Sequence, residues 1–563
     1  MTISDDVRQS FKNHIQSLNG KNIKSYDKKD GFITIDFDLD VNRQTVPLSV
    51  KYADQKRWLS LPTVSVSQCN LTALDHVGND GLICVTDHQG EMFDSADLSG
   101  LFKYAVDTAI GILTNALESY SAGNRDALYE EIDGYNQTVV SDAPVIVATH
   151  NPNQSDSLYA WCINFTKQRN TPQCHHIKYL VDGASRNPPS SSPYTAVKIT
   201  KISLPCIEDF VIPDLFESFD ENWWKKQISK FSKNQLDSLH KKSNFKIILL
   251  EVPTPKMHTY LVISYYQDMT SNKYRSFKVQ TLQRGWREYL LNRTGIDSQF
   301  SSKKTVVIAG CGSVGSRVAE TLAESDIDKL ILVDYDDMKT DNVMRHYLGI
   351  QDVNQSKVSA LKNRLQQNIP ELEVVAYKAN ILNWLNSQNN EQLSEIHSIV
   401  LATGHPPTEL EVCRRLYTYE ANVHVVSGWL EAYGLGGHVL GFRSNEDGCL
   451  KCLYYDDDGN SSNYIRTSLF SNPLGIVLSK NITGCAGAFT AYGSVHAMKT
   501  AVIIAEYVIE NKTGLQSWCA TNKLPTDYDL KATKHQELAL QNGGYYLQSL
   551  DAIKTVGCSC CST

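Results

Sequence analysis

The stretch from Lys304 to Lys357 limits what this 563-residue chain can fold into more than any other. An apolar run, Val306 to Ala309, leads into Gly310-x-Gly312-x-x-Gly315 and then a helical pattern; a second apolar run, Leu330 to Val333, ends at Asp334. Strand, glycine turn, helix, strand and acid, in that order, predict a nucleotide-binding βαβ unit. The glycines let backbone N–H groups approach a phosphate, and the helix N-terminus favours its negative charge. Asp334 falls about 20 residues past the turn, where a carboxylate accepts hydrogen bonds from ribose hydroxyls.

The glycine pattern also fits an NAD-dependent oxidoreductase, so the residues after Asp334 separate the readings. Asn342 and Arg345 share a face of one helical turn, and Lys357 adds a second cation. A dinucleotide needs little positive charge beyond the glycine turn, whereas a triphosphate that is cleaved needs cations on its oxygens. Arg345 can grip phosphate through two parallel hydrogen bonds, and Lys357 acts as a point charge.

Asp334, Asn342-x-x-Arg345 and Lys357 resemble the adenylation site of the MoeB/ThiF and ubiquitin-activating superfamily, over about residues 280 to 561. The resemblance implies that these positions bind ATP and that the C-terminal glycine of a ubiquitin-like protein is adenylated. It also implies an arginine supplied by a partner subunit, for which Arg287 and Arg293, around the helical-looking segment Leu282 to Asn292, are candidates. One position departs from the pattern. The family carries a magnesium-holding aspartate near the end of a later strand; here Ile399 to Pro407 reads IVLATGHPP, with Thr403-Gly404 at that place and Glu409 as the nearest substitute.

Composition narrows the class further. Apolar content of 42%, charge of 21% and a net charge of −8 describe a globular chain without the basic surface of a broad nucleic-acid binder. The N-terminus lacks the apolar core of a signal peptide, and no apolar run reaches the ~18 residues of a membrane span. A cytoplasmic protein is expected. Its 14 cysteines are then ligands, nucleophiles or packing residues rather than disulfides. Cys449-x-x-Cys452 and Cys558-x-x-Cys561 can together make a tetrahedral Cys₄ zinc site, with Cys560 a competing ligand in the second pair. MoeB/ThiF-like enzymes place C-x-x-C pairs in the same two regions, which implies structural zinc.

Two further thiols are candidates for chemistry. Cys84 closes Asn79-Asp80-Gly81-Leu82-Ile83-Cys84, which resembles the active-site loop of ubiquitin-conjugating enzymes: strands precede it and long helices follow. The family's His-Pro-Asn tripeptide is missing, and His76 stands about where its asparagine would be. Cys485 lies in Asn481-Ile-Thr-Gly484-Cys485-Ala-Gly487, ahead of a helical pattern from Tyr492 to Ile509. MoeB/ThiF-like proteins carry a cysteine there, and in activating enzymes a thiol takes the acyl group from AMP.

The expected architecture is multidomain: an α+β ubiquitin-conjugating-like domain over 1–140, an α/β linker domain over 141–280, and an α/β Rossmann-like ThiF/MoeB adenylation domain over 281–563. In the first, an amphipathic helix (Val7, Phe11, Ile15, Leu18) precedes strands at Phe32–Phe37, Val46–Val50 and Trp58–Val66 and a helix at Leu98–Tyr120. In the second, strands are expected at Val145–Ala148, Ile247–Val252 and Tyr260–Tyr266, with a loop at Asn187–Pro193. This order resembles the fused activating/conjugating enzymes of CBASS anti-phage operons. The resemblance implies ATP with Mg²⁺ as cofactors, a homodimer through the adenylation domain, and as carrier substrate a cGAS-like nucleotidyltransferase whose C-terminus is attached to target lysines. A sulfur-carrier adenylyltransferase of the MoeB/ThiF kind and a non-catalytic nucleotide-binding adaptor stay open as alternatives.

Overall fold

The computed structural model describes residues 3–27, 30–67, 70–86, 92–140, 146–155, 157–168, 171–182, 194–239, 245–268, 273–295, 304–455, 468–470, 480–481, 488–489, 491–520 and 532–561. Cys485 and the expected loop at Asn187–Pro193 lie outside them. The chain divides into two compact units, Met1–Gly285 and Trp286–Thr563.

The first unit opens with the helix Asp5–Ser17, whose Phe11 and Ile15 are buried. An antiparallel four-stranded sheet follows, Lys21–Asp27, Phe32–Val41, Gln44–Ala53 and Thr63–Val66 in sequential order. Alternating burial along Gln44–Ala53 gives it one core face, the period expected of a half-covered sheet. The helix Leu98–Ser121, capped by Asp97, lays nine buried side chains on that core. There Phe102 stacks on Phe11 at 4.1 Å between ring centroids. The expected strand Trp58–Val66 is shorter than the sequence suggested and begins at Thr63. Trp58 instead turns inward and donates its indole N–H to the Ala53 carbonyl.

The helix Asp126–Val139 ends this part, and an eight-stranded mixed sheet supplies the rest of the unit. Its centre runs Ile146–Ala148, Tyr274–Arg284, Thr259–Gln267 and Phe245–Val252. Residues from the four-stranded sheet and its helices and from this sheet share one hydrophobic cluster. The Arg284 guanidinium, nearly buried, pairs with Asp133 at 2.6 Å and adds a charged tie between them.

The second unit is built on an eight-stranded sheet ordered Glu373–Tyr377, Lys329–Val333, Thr305–Ala309, Ser398–Leu401, His424–Leu430, Gly436–Arg443, Gly514–Cys519 and Tyr545–Gln548. The first five are parallel and the last three antiparallel. Helices Ser313–Ala323 and Ser494–Ile509 pack in the cluster on one face, and Pro406–Leu416 in the cluster on the other. Burial on both faces explains the unbroken apolar reading of Val306–Ala309 and Leu330–Val333. The helical-looking segment Leu282–Asn292 is a correction: Leu282–Arg284 finish a strand, Gly285 breaks the run by donating to the Ala148 carbonyl, and the helix spans Arg287–Arg293. No helix among the described residues is long and apolar enough to cross a membrane.

Candidate functional site

At the carboxyl end of the parallel strands, Thr305–Ala309 runs into the glycine turn and the helix Ser313–Ala323. The three glycines differ in what holds them. Gly310 has φ +86, and a Cβ there would sit 2.5 Å from the Ala402 carbonyl oxygen; at Gly315 it would sit 1.8 Å from the Gly310 carbonyl oxygen. Those two permit the tight turn and the close helix approach. A Cβ on Gly312 would meet nothing within 4 Å, so that backbone borders open space at the helix N-terminus. An anion placed there gains from the unpaired N–H groups and the helix dipole.

Asp334, at the end of Lys329–Val333, accepts the Cys311 N–H at 2.7 Å through Oδ2 and the Asp336 N–H at 2.8 Å through Oδ1. His346 completes the hold on the turn. Its Nδ1 accepts the Leu348 N–H, which leaves the proton on Nε2, 2.7 Å from the Cys311 carbonyl. Cys311 is thus fixed by an acid on its N–H and an imidazole on its C=O, and its own buried thiol is pushed well above the usual range. Burial pushes His346 down to about 4.

The cations expected from the sequence sit around this turn. Asn342 ends a short 3₁₀ turn, Thr340–Asn342, where its side chain accepts the Lys339 N–H. Arg345 donates its backbone N–H to the Asn342 carbonyl, so the two do share a turn. The Arg345 guanidinium lies over the Tyr492 ring, 5.4 Å from its centroid, and the Tyr492 hydroxyl is 2.6 Å from the Ser313 hydroxyl at the helix N-terminus. Lys357 begins the helix Lys357–Asn368; its buried ammonium pairs with Asp336 at 2.9 Å. Asp336, His346 and Tyr492 were not singled out from the sequence. Asp336 carries a usable signal, since it stands in the acidic run Asp334-Tyr-Asp-Asp337.

The strand end that departs from the family pattern is filled from inside. Glu409 accepts the N–H and the hydroxyl of Thr403 through one oxygen, and the Ser427 hydroxyl through the other. Its burial raises its pKa. Glu409 therefore holds the Thr403–Gly404 turn, and Thr403-Gly404 itself offers no carboxylate there for a magnesium ion. Of the two arginine candidates, Arg287 is tied to Asp328 and the Ser325 carbonyl, while Arg293 is exposed.

The sulfurs of Cys449, Cys452, Cys558 and Cys561 lie within 4.8 Å of one another. The pairs Cys449–Cys558 and Cys452–Cys561 measure 3.9 and 3.6 Å. Four thiolates at the usual zinc–sulfur length of about 2.3 Å would be roughly 3.8 Å apart, so the donor set and its spacing fit a structural zinc ion. The set of four mutually close sulfurs includes Cys561 and not Cys560.

In the other unit, Cys84 is exposed at the end of a small hairpin. Its N–H donates to the His76 carbonyl at 2.8 Å, Val77 bridges Ile83, and Gly81, with φ +81, makes the turn. The hairpin is braced from below: buried Asn79 donates to the Asp214 carbonyl, and its N–H bonds Thr138. A cavity of about 550 Å³ opens beside Cys84, lined by His76, Glu131, Leu128, Tyr135 and Thr138 among others.

A parallel sheet with a glycine turn, an acid closing its second strand and flanking cations at its carboxyl end defines a Rossmann-like α/β domain. Residues 287–511 match the ThiF family, and this part of the chain is a ThiF-family domain. The chain is 24% identical over 231 residues to the ATP-dependent ubiquitin transferase-like protein Cap2 of Pseudomonas aeruginosa, covering 40% of this chain and 39% of that protein. It is 30% identical over 175 residues to ubiquitin-like modifier-activating enzyme 5 of Bombyx mori, covering 29% of this chain and 43% of that enzyme. The matched stretches thus span about two fifths of each relative's length. Among solved structures, Escherichia coli MccB aligns with a TM-score of 0.33 at 16% identity, over 46% of this chain and 65% of that one.

The depressed pKa of His346 has a direct consequence. Its folded value of about 4 lies below the ordinary 6.5. As pH falls through 6.5 the unfolded chain takes up a proton that the folded chain refuses, so folding stability drops between pH 6.5 and 4. Glu409, with a raised value, pulls the opposite way. A comparison of wild type with His346→Gln isolates the histidine: urea midpoints at pH 7 and pH 5 should differ less in the variant than in wild type.

Proposed function

We propose that this chain activates a protein C-terminus with ATP and carries the acyl group over two of its own thiols to a target amine. The carrier carboxylate attacks the α-phosphate of ATP bound over Gly310, Gly312 and Gly315, and pyrophosphate leaves. Asp334 accepts from the ribose, and Asn342, Arg345 and Lys357 balance the growing charge on the phosphate oxygens. The Cys485 thiolate displaces AMP to give a thioester. Cys84 takes the acyl group by thioester exchange and passes it to a lysine. Having both thiols on one chain raises the effective concentration of each at the other, to about the millimolar range for a short flexible connection.

The observation that carries this reading is the cation set around the glycine turn: Arg345 and Lys357 supply positive charge that a nicotinamide dinucleotide does not need. Likeness to the Pseudomonas and Bombyx proteins supports the adenylation step. Within the same reading belong the three-domain division at residues 140 and 280, a conjugating-like role for the first domain, a homodimer through the adenylation domain, a cGAS-like nucleotidyltransferase as carrier, and a cytoplasmic site of action. Magnesium finds no carboxylate in Thr403-Gly404, and no step is drawn through it. Zinc, held by Cys449, Cys452, Cys558 and Cys561, would staple the C-terminal residues to the sheet and take no part in the chemistry.

The sulfur-carrier reading needs neither Cys84 nor the first unit. With ATP and a cGAS-like nucleotidyltransferase, Cys84→Ala is expected to keep carrier-dependent pyrophosphate exchange and to lose lysine conjugates. Conjugates formed at the wild-type rate would favour the sulfur-carrier reading instead.

A further inference from the structure

His76 and Cys84 face each other across the hairpin, joined by the Cys84 N–H to His76 carbonyl bond. His76 has φ +55, a left-handed backbone that a non-glycine residue keeps only when its surroundings hold it. Glu131, on the helix Asp126–Val139, supplies that hold. One carboxylate oxygen accepts the His76 backbone N–H at 2.9 Å, and the other lies 3.0 Å from the ring Nδ1. A carboxylate facing Nδ1 keeps the proton on that nitrogen, which leaves the lone pair on Nε2. His76, Glu131 and Cys84 all line the same cavity. The other carboxylate in that lining, Asp80, accepts the Leu82 N–H of the hairpin turn.

As an exposed ion pair, His76–Glu131 would add little stability. Its geometry does something else: it clamps both the backbone and the ring of one residue beside a thiol. We infer that Glu131 is a positioning residue that sets His76 to take the proton from the amine attacking a Cys84 thioester. The amine nitrogen bonds to the thioester carbonyl and its proton passes to His76 Nε2. The carbon–sulfur bond then breaks, and the Cys84 sulfur leaves and recovers the proton. This inference rests on the reading of Cys84 as a thioester site and adds the group that discharges it.

The test bypasses the unidentified carrier. The full chain is loaded with the 2-mercaptoethanesulfonate thioester of a short glycine-ending peptide, freed of excess reagent and given Nα-acetyl-lysine methylamide. Loss of the acyl group is read on the Cys84 peptide by mass spectrometry, over the loaded fraction alone and across a pH series. General-base help is worth at least about 100-fold, so His76→Gln and Glu131→Ala should slow aminolysis by more than tenfold, and Glu131→Asp should recover most of the rate. The wild-type rate should follow a titrating base that His76→Gln lacks. An unchanged rate and pH profile in Glu131→Ala overturns the inference. So does a slower rate with the wild-type pH profile, which assigns Glu131 to holding the hairpin only. A Cys84 that accepts no acyl group removes the underlying reading, and the inference with it.

Discussion

Replacing Lys357 by Ala is expected to cut ATP–pyrophosphate exchange by about 10²–10³-fold, the usual loss when one preorganised charge or donor is taken from a developing oxyanion. Lys357 is buried at the start of its helix, and among the described residues its one partner within ion-pairing distance is Asp336, which is half exposed. The ammonium is therefore held at the end of the sheet with its charge balanced by a group that water can reach, and a phosphate can share it without an unpaired charge being left behind. Asp336 stays hydrated when the ammonium is removed, but truncation to Ala also empties the space of a buried stem, so Lys357→Met is the control that keeps the packing. With the proposed carrier, exchange should fall in both variants while the thermal midpoint of Lys357→Met stays near that of wild type. Arg345→Ala should act in the same direction. Exchange at the wild-type rate in Lys357→Ala would show that the lysine serves the fold alone.

The second large effect is on stability. Cys558→Ser, or stripping with a strong chelator, should lower the unfolding midpoint of the second unit and release one equivalent of zinc per chain. Structural zinc in small thiolate sites carries about 10 kcal/mol or more of binding free energy, part of which is folding free energy. Here the four sulfurs join the turn Leu450–Tyr454 to the last described residues, and Cys449, Cys452 and Cys558 are buried in the cluster that also holds Leu450 and Ile553. Without the metal those thiols are left crowded, with only weak sulfur–sulfur contacts between them. Metal analysis together with differential scanning calorimetry checks both halves of the expectation. A chain that holds no zinc yet melts as before would remove the ion from the account.

The glycine turn was legible because its chemistry is backbone chemistry. Gly310 and Gly315 are dictated by steric limits that no other residue meets, so their spacing shows in the sequence. The parallel strands were legible because burial on both faces leaves continuous apolar runs. Long-range partners were not. Nothing in the sequence says that His346 reaches the Cys311 carbonyl, or that Tyr492 bridges Ser313 and Arg345, since those pairs form only once helices and strands have packed. The end of the strand Tyr274–Arg284 misled for a local reason: Leu282, Trp286, Tyr289 and Leu290 carry a helical spacing across Gly285, and it is the pairing of Leu282–Arg284 with Ile146–Ala148 that makes the segment a strand. Glu131 left no signal at all, because its partner His76 stands more than fifty residues away and an acid on a helix is ordinary.

The most direct test of the central claim is to map acyl adducts on the intact chain. The protein is incubated with ATP and a cGAS-like nucleotidyltransferase, run on a non-reducing gel, and the thiol-sensitive bands are digested for mass spectrometry. ATP-dependent adducts are expected at Cys485 and Cys84, with the Cys84 adduct lost when Cys485 is replaced by Ala. Adducts that form without ATP, or ATP-dependent conjugates that survive loss of both thiols, would contradict it.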